Sequence, residues 1–517
     1  VTAPAPRAAH ELAAAAVADD ARPEAVARQH ARGKRTARER LDALVDQGSF
    51  REVGRLARPD PGRAGPPEIP GDGIVAGTAT ITGRPVVVLA SDYTAAGGSN
   101  GLVGNEKQRR AWEIAAMRGI PVVMLLDGGG HRIQEGLDAA TFAGGFDIQE
   151  TQARLSGWVP MVAAILGPGY GQPTLAASLC DYVVAVRGIA SIGMAPPALV
   201  RAATGEDVDD LGIDTPDAQA SYGTIDLAVD DEDEAIDALR YYLDALPSNA
   251  EASLPVEPPR PPDPEAAHGL DAVVPADLRQ SYDMWDVLLG IVDEGSEVEL
   301  KSAFAPSMLT TLAKVGGRPV GFIANQPAVA AGALDADGAH KAAHLASLCD
   351  AFGIPVVVVI DLPGLAVGSA AERGGLARAA GRLVNQLGDL TVPTVTVVAR
   401  KGYGGGYVVM SGGRTFHPDL VVAWPWAETA VMGVETAVEM VYRREVAASD
   451  DPAAARSRLV AELQDRLGAV RAGEGFGVDV VQWPSETRAW LVETLADLPR
   501  RRHLRTTTPR RHPVAPA

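Results

Sequence analysis

The feature that most restricts this chain is an internal repeat held at constant register. Gly83-Arg84-Pro85-Val86 returns as Gly317-Arg318-Pro319-Val320, and Gly119-Ile120-Pro121-Val122-Val123 returns as Gly353-Ile354-Pro355-Val356-Val357. Lys107 meets Lys341 and Asp127 meets Asp361, all at a spacing of 234 positions. Farther on, Gly169-Tyr170-Gly171 meets Gly402-Tyr403-Gly404 at a spacing of 233. Two domains that merely shared a composition would not keep step over dozens of residues. The chain reads as a duplicated domain.

Within each copy, short apolar runs such as Pro85–Ala90, Ile120–Leu126 and Val162–Leu166 stand between glycines, and Glu106–Arg118 has helical spacing. Runs without alternation suit strands buried on both faces, so the expected class is α/β with crossover units. The first 45 residues read as helix. Six prolines between Pro255 and Pro264 favour extended chain. The expected organisation is therefore a first domain over 1–255 with a helical N-terminal segment 1–58, a linker over 256–270, and a second domain over 271–517.

Charge and cysteine count narrow the function. Lys and Arg total 47 against 66 Asp and Glu, a net charge of −19. That is the wrong sign for a general nucleic-acid binder or for an anionic membrane surface. Two cysteines, Cys180 and Cys349, exclude a four-cysteine zinc ribbon and a disulfide framework, and fit a reducing cytosol. No apolar run reaches the length of a membrane span and no signal-peptide pattern is seen, so a cytoplasmic location is expected. The basic segment from Arg500 to His512 reads as a solvated end or a docking arm.

Side-chain chemistry is scarce. No Gly-x-Ser-x-Gly elbow with partners, His-Glu-x-x-His helix or Walker A loop occurs. Glycine clusters occur instead, twice over. Ala96-Gly97-Gly98-Ser99, Asp127-Gly128-Gly129-Gly130 and Gly167-Pro168-Gly169-Tyr170-Gly171-Gln172 are answered by Ala331-Gly332, Asp361-Leu362-Pro363-Gly364 and Gly402-Tyr403-Gly404-Gly405-Gly406-Tyr407. One such cluster is equally a tight turn. Matched clusters in two repeats favour a site in which backbone N–H groups converge on an oxygen that gains negative charge.

Motifs spread along most of the chain carry a specific resemblance. They include Thr36-Ala37-Arg38-Glu39-Arg40, Gly71-Asp72-Gly73, Gly97-Gly98-Ser99, Arg132-Ile133-Gln134-Glu135-Gly136 and Thr204-Gly205-Glu206-Asp207-Val208. Ala324-Asn325-Gln326-Pro327, Arg400-Lys401-Gly402-Tyr403-Gly404-Gly405, Ala423-Trp424-Pro425, Ala430-Val431-Met432-Gly433 and Pro484-Ser485-Glu486-Thr487-Arg488 follow. The chain resembles the carboxyltransferase (β) subunit of biotin-dependent acyl-CoA carboxylases of the propionyl-CoA carboxylase type.

That resemblance implies two tandem crotonase-like (ββα spiral) domains and a hexamer of two stacked trimers. The active site is then shared between the N-domain of one subunit and the C-domain of its partner. It implies acyl-CoA on the N-domain and, on the C-domain, carboxybiotin carried by a separate biotin carboxylase/biotin carboxyl carrier α subunit. Carboxybiotin releases CO2, the biotin anion takes the α-proton, and the enolate attacks CO2. Two oxyanions then need holes, no side-chain base is required, and no metal is implied.

Carried over by position, Gly171 and Gln172 serve the thioester oxygen, and Gly405 and Gly406 the biotin oxygen. Gly97, Gly98, Ser99, Gly129, Gly130, His131, Arg132 and Val408 fall on the substrate side. Gly364, Tyr403 and Gly404 fall on the biotin side. This chain departs from the family pattern at Gln172 (usually Gly) with Pro173 after it, at Gly406 (often Ala), at Val408 (often Asp), at Gly128 and His131, and at Trp426. Trp426 reads as core. Lys107, Arg109 and Arg110 read as a solvated helix face, with binding of the CoA phosphates as the lesser alternative. Two other readings stay open here: a CoA-ester decarboxylase subunit running the reverse transfer, and a repurposed or non-catalytic paralogue.

Overall fold

The structure is a computed structural model that describes residues 6–59, 69–145, 148–207 and 212–501. Val208 and the basic segment beyond Arg501 lie outside the described residues. The chain forms two compact units that meet in sequence at Ser253 and Leu254.

The first unit is built on a seven-stranded sheet. Its strands, in spatial order, are β1 (Arg51–Val53), β2 (Ile74–Ile81), β3 (Arg84–Ser91), β4 (Val122–Leu126), β5 (Met161–Ile165), β7 (Tyr182–Val186) and β9 (Leu227–Val229). β1, β2 and β3 pair antiparallel and the rest parallel. A separate parallel pair joins β6 (Pro168–Tyr170) to β8 (Ser191–Gly193).

The second unit repeats this plan. β10 (Val298–Glu299), β11 (Met308–Val315) and β12 (Arg318–Asn325) pair antiparallel. β12, β13 (Val356–Leu362), β14 (Thr394–Tyr403), β15 (Leu420–Ala423) and β17 (Val480–Val481) continue in parallel, and β16 (Glu428–Ala430) pairs with the end of β14. The duplication extends to hydrogen-bond register: Val87 lies opposite Val122 in the first sheet, and their repeat mates Gly321 and Val356 lie opposite each other in the second. β14 runs unbroken where the first unit divides into β5 and β6.

β4, β5, β7, β13 and β14 are buried at every residue, which is why they read as continuous apolar runs. The crossover helices Leu102–Arg118 and Ala336–Phe352 both end on a left-handed glycine, Gly119 and Gly353. Trp112, Met124 and Val122 are core residues of the first unit, and Phe322, Trp424 and Val357 of the second. Trp426 packs against the second core, edge-on to both Trp424 and Trp483. The N-terminal segment forms helices Pro6–Ala15, Pro23–His30 and Ala37–Leu44, the last opened by a Thr36/Glu39 capping box. Residues 253–263 contain neither helix nor strand, and Pro264–Gly269 is helical. Glu257 N–H donates to Gly317 O at 2.9 Å, so this stretch is fastened to the second unit. Among the described residues, no helix is long and apolar enough to cross a membrane.

Candidate functional site

In the first unit the three glycine clusters lie together at the ends of the parallel strands. Gly128 N–H donates to Pro168 O (2.9 Å), Asn100 N–H to Gly130 O (2.8 Å) and Arg132 N–H to Asn100 O (2.7 Å). Gly98 sits at φ +66° with its Cα against the Asp127 carbonyl, where a Cβ would overlap the oxygen. Gly97 is close by, and Gly129 N–H makes a long bond to its carbonyl (3.4 Å). Ser99 Oγ is turned back onto Ala96 O (2.9 Å). The second unit reproduces the arrangement: Leu334 N–H donates to Gly364 O (3.2 Å) and Ala366 N–H to Leu334 O (2.8 Å). Gly332 packs on the Asp361 carbonyl as Gly98 packs on that of Asp127.

Each strand end then turns into a short helix whose first N–H groups lack intrahelical partners. At Gly171 (φ 73°, ψ −115°) the backbone adopts a turn that a side chain would strain, and the helix Gln172–Ser178 begins. Gly171 N–H itself is bonded to Gly193 O at 2.9 Å. This corrects the expectation that Gly171 and Gln172 both present amides: Gly171 makes the turn, and Gln172 N–H is the one with no acceptor among the described residues. The Gln172 nitrogen lies close to Gly130, 3.7 Å from the position a Cβ there would take. Pro173 costs nothing, because it sits in the first helical turn where its N–H would be unpaired. In the second unit the N–H groups of Gly405 and Gly406, in the helix Gly404–Val409, have no acceptor among the described residues. Gly406 packs on Gly364, where a Cβ would come within 2.8 Å of the Gly364 carbonyl carbon. Among the described residues beyond its chain neighbours and its own helix, only Leu365 Cδ1 lies within 4 Å of a Cβ position at Gly405, at 3.5 Å. Val408, on the same helix, is exposed.

The tyrosine before each turn is anchored to a carboxylate. Tyr170 OH bonds Asp214, and Tyr403 OH donates to Glu428 Oε2 at 2.6 Å. Burial and Glu428 push the Tyr403 phenol well above its ordinary range, so it stays neutral. His131 is half-buried, and that burial lowers its proton affinity. Arg132 departs from the expected substrate contact. It is buried, with Nη1 on Asp72 (2.5 Å) and Glu135 (2.7 Å) and Nη2 on Ser99 O (2.9 Å), so it braces the loops from within. Lys107 is likewise no part of a solvated face. Its Nζ donates to Gly71 O (3.0 Å) and Ile74 O, and desolvation pushes its pKa down to about 8. Arg109 and Arg110 pair with Glu106 and Glu113 on the helix surface.

The sequence reading missed the charges behind the loops. Asp127, fully buried, accepts from Lys34 Nζ (2.6 Å), Arg40 Nη1 (2.7 Å) and Gln29 Nε2 (2.8 Å). Asp361, also fully buried, accepts from Arg400 Nε (2.9 Å) and Lys401 N–H (3.2 Å). The available signal was the repeat itself, which places an aspartate after an apolar run in both copies, where a buried charge needs partners. Among the described residues, no group of three or more His, Cys, Asp or Glu is placed to hold a metal ion.

A carboxyl transferase domain matches residues 28–514. The chain belongs to the carboxyl transferase family. It is 40% identical over 489 residues to the propionyl-CoA carboxylase beta chain of Saccharopolyspora erythraea, covering 91% of this chain and 89% of that one. It is 36% identical over 504 residues to a biotin-dependent acetyl-/propionyl-coenzyme A carboxylase beta5 subunit of Mycobacterium tuberculosis, covering 93% and 91%. Its structure is similar to transcarboxylase 12S, solved as a hexamer with methylmalonyl-coenzyme A and methylmalonic acid bound, at a TM-score of 0.89 and 35% identity over 96% of this chain and 94% of that one. The chain is an acyl-CoA carboxyltransferase with two crotonase-like domains, in a family of biotin-dependent enzymes acting on CoA esters.

Proposed function

We propose that the first unit holds an acyl-CoA thioester and the second unit the biotin of a separate biotin carboxylase/biotin carboxyl carrier α subunit, so that CO2 passes to the α-carbon of the acyl group. The observation that carries this division is the duplicated set of unengaged backbone N–H groups: Gln172 beside Gly130 in one unit, Gly405 and Gly406 beside Gly364 in the other. Bound biotin supplies activated CO2 and, once CO2 has left, a base. The residues of the second unit fit it, since two free amides suit a ureido oxygen and the face of Gly405 is open. Everything else is done by fixed dipoles. Gln172 N–H would donate to the thioester oxygen as enolate charge grows there, and Gly405 and Gly406 would donate to the ureido oxygen. Donors already in place need no reorganisation, and each is worth about 2.7–4 kcal/mol in such sites. The proposal calls on no side-chain base at either place, and burial disfavours the charged form of His131.

The free Gln172 amide argues against a non-catalytic paralogue. Large exposed apolar side chains, Ile133, Leu137, Phe142 and Met194 in the first unit and Val431, Met440 and Val441 in the second, support assembly into a hexamer like that of transcarboxylase 12S. Mass photometry of the purified chain checks that state. The absence of disulfides supports a cytoplasmic location.

The deciding experiment combines the chain with its cognate biotinylated α subunit, ATP and labelled bicarbonate across a panel of acyl-CoA esters. Label should enter at least one short acyl-CoA. Failure with every ester overturns the proposal, and ATP-independent CO2 release from a carboxylated acyl-CoA would assign the reverse direction.

A further inference from the structure

We infer that Asp127 and Asp361 are positioning residues: each uses a buried arginine to fasten its unit's glycine loops to the adjoining strand ends. The inference rests on the reading of those loops as oxyanion-binding.

In the first unit the carboxylate heads the loop Gly128–Gly130, and Arg40 reaches it from the N-terminal helix Ala37–Leu44. The same guanidinium donates through Nη2 to Leu166 O at 3.0 Å, the residue from which the chain runs through Gly167 to Gly171 and Gln172. One side chain thus ties the Gly128–Gly130 loop to the segment that carries the Gln172 amide. Glu232 accepts from Nε (3.0 Å) and Nη2 (2.6 Å) of the same guanidinium, and Lys34 closes the far oxygen of Asp127. In the second unit the carboxylate stands at the repeat-equivalent place and the arginine comes by another route. Arg400 lies on β14 and holds Asp361 Oδ2 by Nε, while its Nη1 donates to Gln280 O (2.9 Å). Lys401 N–H holds Oδ1, and Asp361 N–H is held by Asn325 Oδ1 (3.3 Å).

Stability alone does not call for such clusters, because apolar residues of equal volume hold a core as firmly as a buried ion pair. Glycine loops, however, have no side chains with which to pack. Their amides keep a fixed direction only if neighbouring groups hold the backbone, and a misplacement of about 1 Å costs roughly 10²-fold in rate.

The test uses the full chain with its partner subunit and compares Asp127→Asn and Arg40→Lys with Arg84→Met. Arg84 is a control that holds the carbonyls of Leu243, Leu246 and Pro247 and touches none of the loops. Asp127→Asn should lower kcat by about 10- to 100-fold with KM for acyl-CoA within about twofold. It should also speed hydrogen–deuterium exchange in peptides covering 127–136 and 166–172. Arg40→Lys should lie between it and the parent chain, and Asp361→Asn should loosen 361–368 and 402–409 instead. Arg84→Met should lower the melting temperature without changing kcat of the folded protein or exchange in these loops. Unchanged loop exchange in Asp127→Asn, or an equal kcat loss in Arg84→Met, overturns the inference. Where Asp127→Asn does not fold, Arg40→Lys is judged by the same measures. If the parent complex fixes no label, the oxyanion reading fails while loop exchange still decides the positioning role.

Discussion

Asn100 Nδ2 donates to Gln172 Oε1 at 2.9 Å, drawing that side chain onto the neighbouring loop. The residue's backbone N–H is left free and its side chain is buried. On the proposed reading this position contributes its amide, and the side chain is a strut between the loops at 98–100 and 171–172.

Two substitutions separate amide from strut. Gln172→Gly keeps the N–H and loses the strut, so kcat should stay within about threefold and stability should fall by about 1 kcal/mol. Gln172→Pro keeps helix-compatible geometry at the first helical position but deletes the donor, and kcat should fall by about 10²–10³-fold. Steady-state carboxylation assays with the partner subunit, beside thermal melts, measure both.

Adjacent glycines in the first cluster should respond to very different degrees. Gly98 has φ +66° and packs on the Asp127 carbonyl, so Gly98→Ala must push apart the loops that carry Asp127 and Ser99. A loss of soluble protein or a melting shift of several degrees is expected, with activity lost. Gly97 has φ +64° but, among the described residues, nothing beyond its chain neighbours within 4 Å of a Cβ, and its repeat mate Ala331 holds an alanine at φ +55°. Gly97→Ala should cost only about 1–2 kcal/mol, seen by denaturant titration.

That contrast shows what was legible before the structure. The repeat and its buried strands stood out because a strand covered on both faces has no polar alternation to disguise it, as Val122–Leu126 and Val356–Leu362 illustrate. The glycine clusters were visible as composition, but which amide is free was not: Gly171 N–H is taken by Gly193, a partner 22 positions away in a separate two-stranded sheet. Arg40 and Glu232 were hidden for the same reason, since the three-way contact with Asp127 joins segments brought together only by the complete fold. Lys107 misled because a charge on a helix is usually solvated. Its match to Lys341, which donates to Phe304 O at 2.8 Å, was the overlooked clue to burial.

Lys107 gives the chain a pH signature on the alkaline side. Burial holds its folded pKa at about 8, below the roughly 10.4 of an unfolded lysine. Between these values the unfolded chain keeps a proton that the folded chain has released, so stability rises with pH across that window and is flat below it. The slope from this residue is at most about 1.4 kcal/mol per pH unit. Urea titrations of the chain at several pH values from 7 to 10.5 should show the rise, and Lys107→Met should remove it.

Val408 provides a test of substrate range. It lies on the helix Gly404–Val409, three residues beyond Gly405, and is exposed. On the reading that Val408 faces the acyl group, its apolar side chain should favour an apolar or longer chain over what an Asp there would admit, because bringing hydrocarbon against a carboxylate strips water from the charge. Val408→Asp should therefore reduce kcat/KM for longer acyl-CoA esters by roughly tenfold relative to propionyl-CoA, the scale of one methylene's discrimination in an apolar pocket. Competition assays with paired acyl-CoA esters measure the ratio directly. An unchanged ratio would remove Val408 from the acyl pocket and leave chain length to be set by the loops around Gly130.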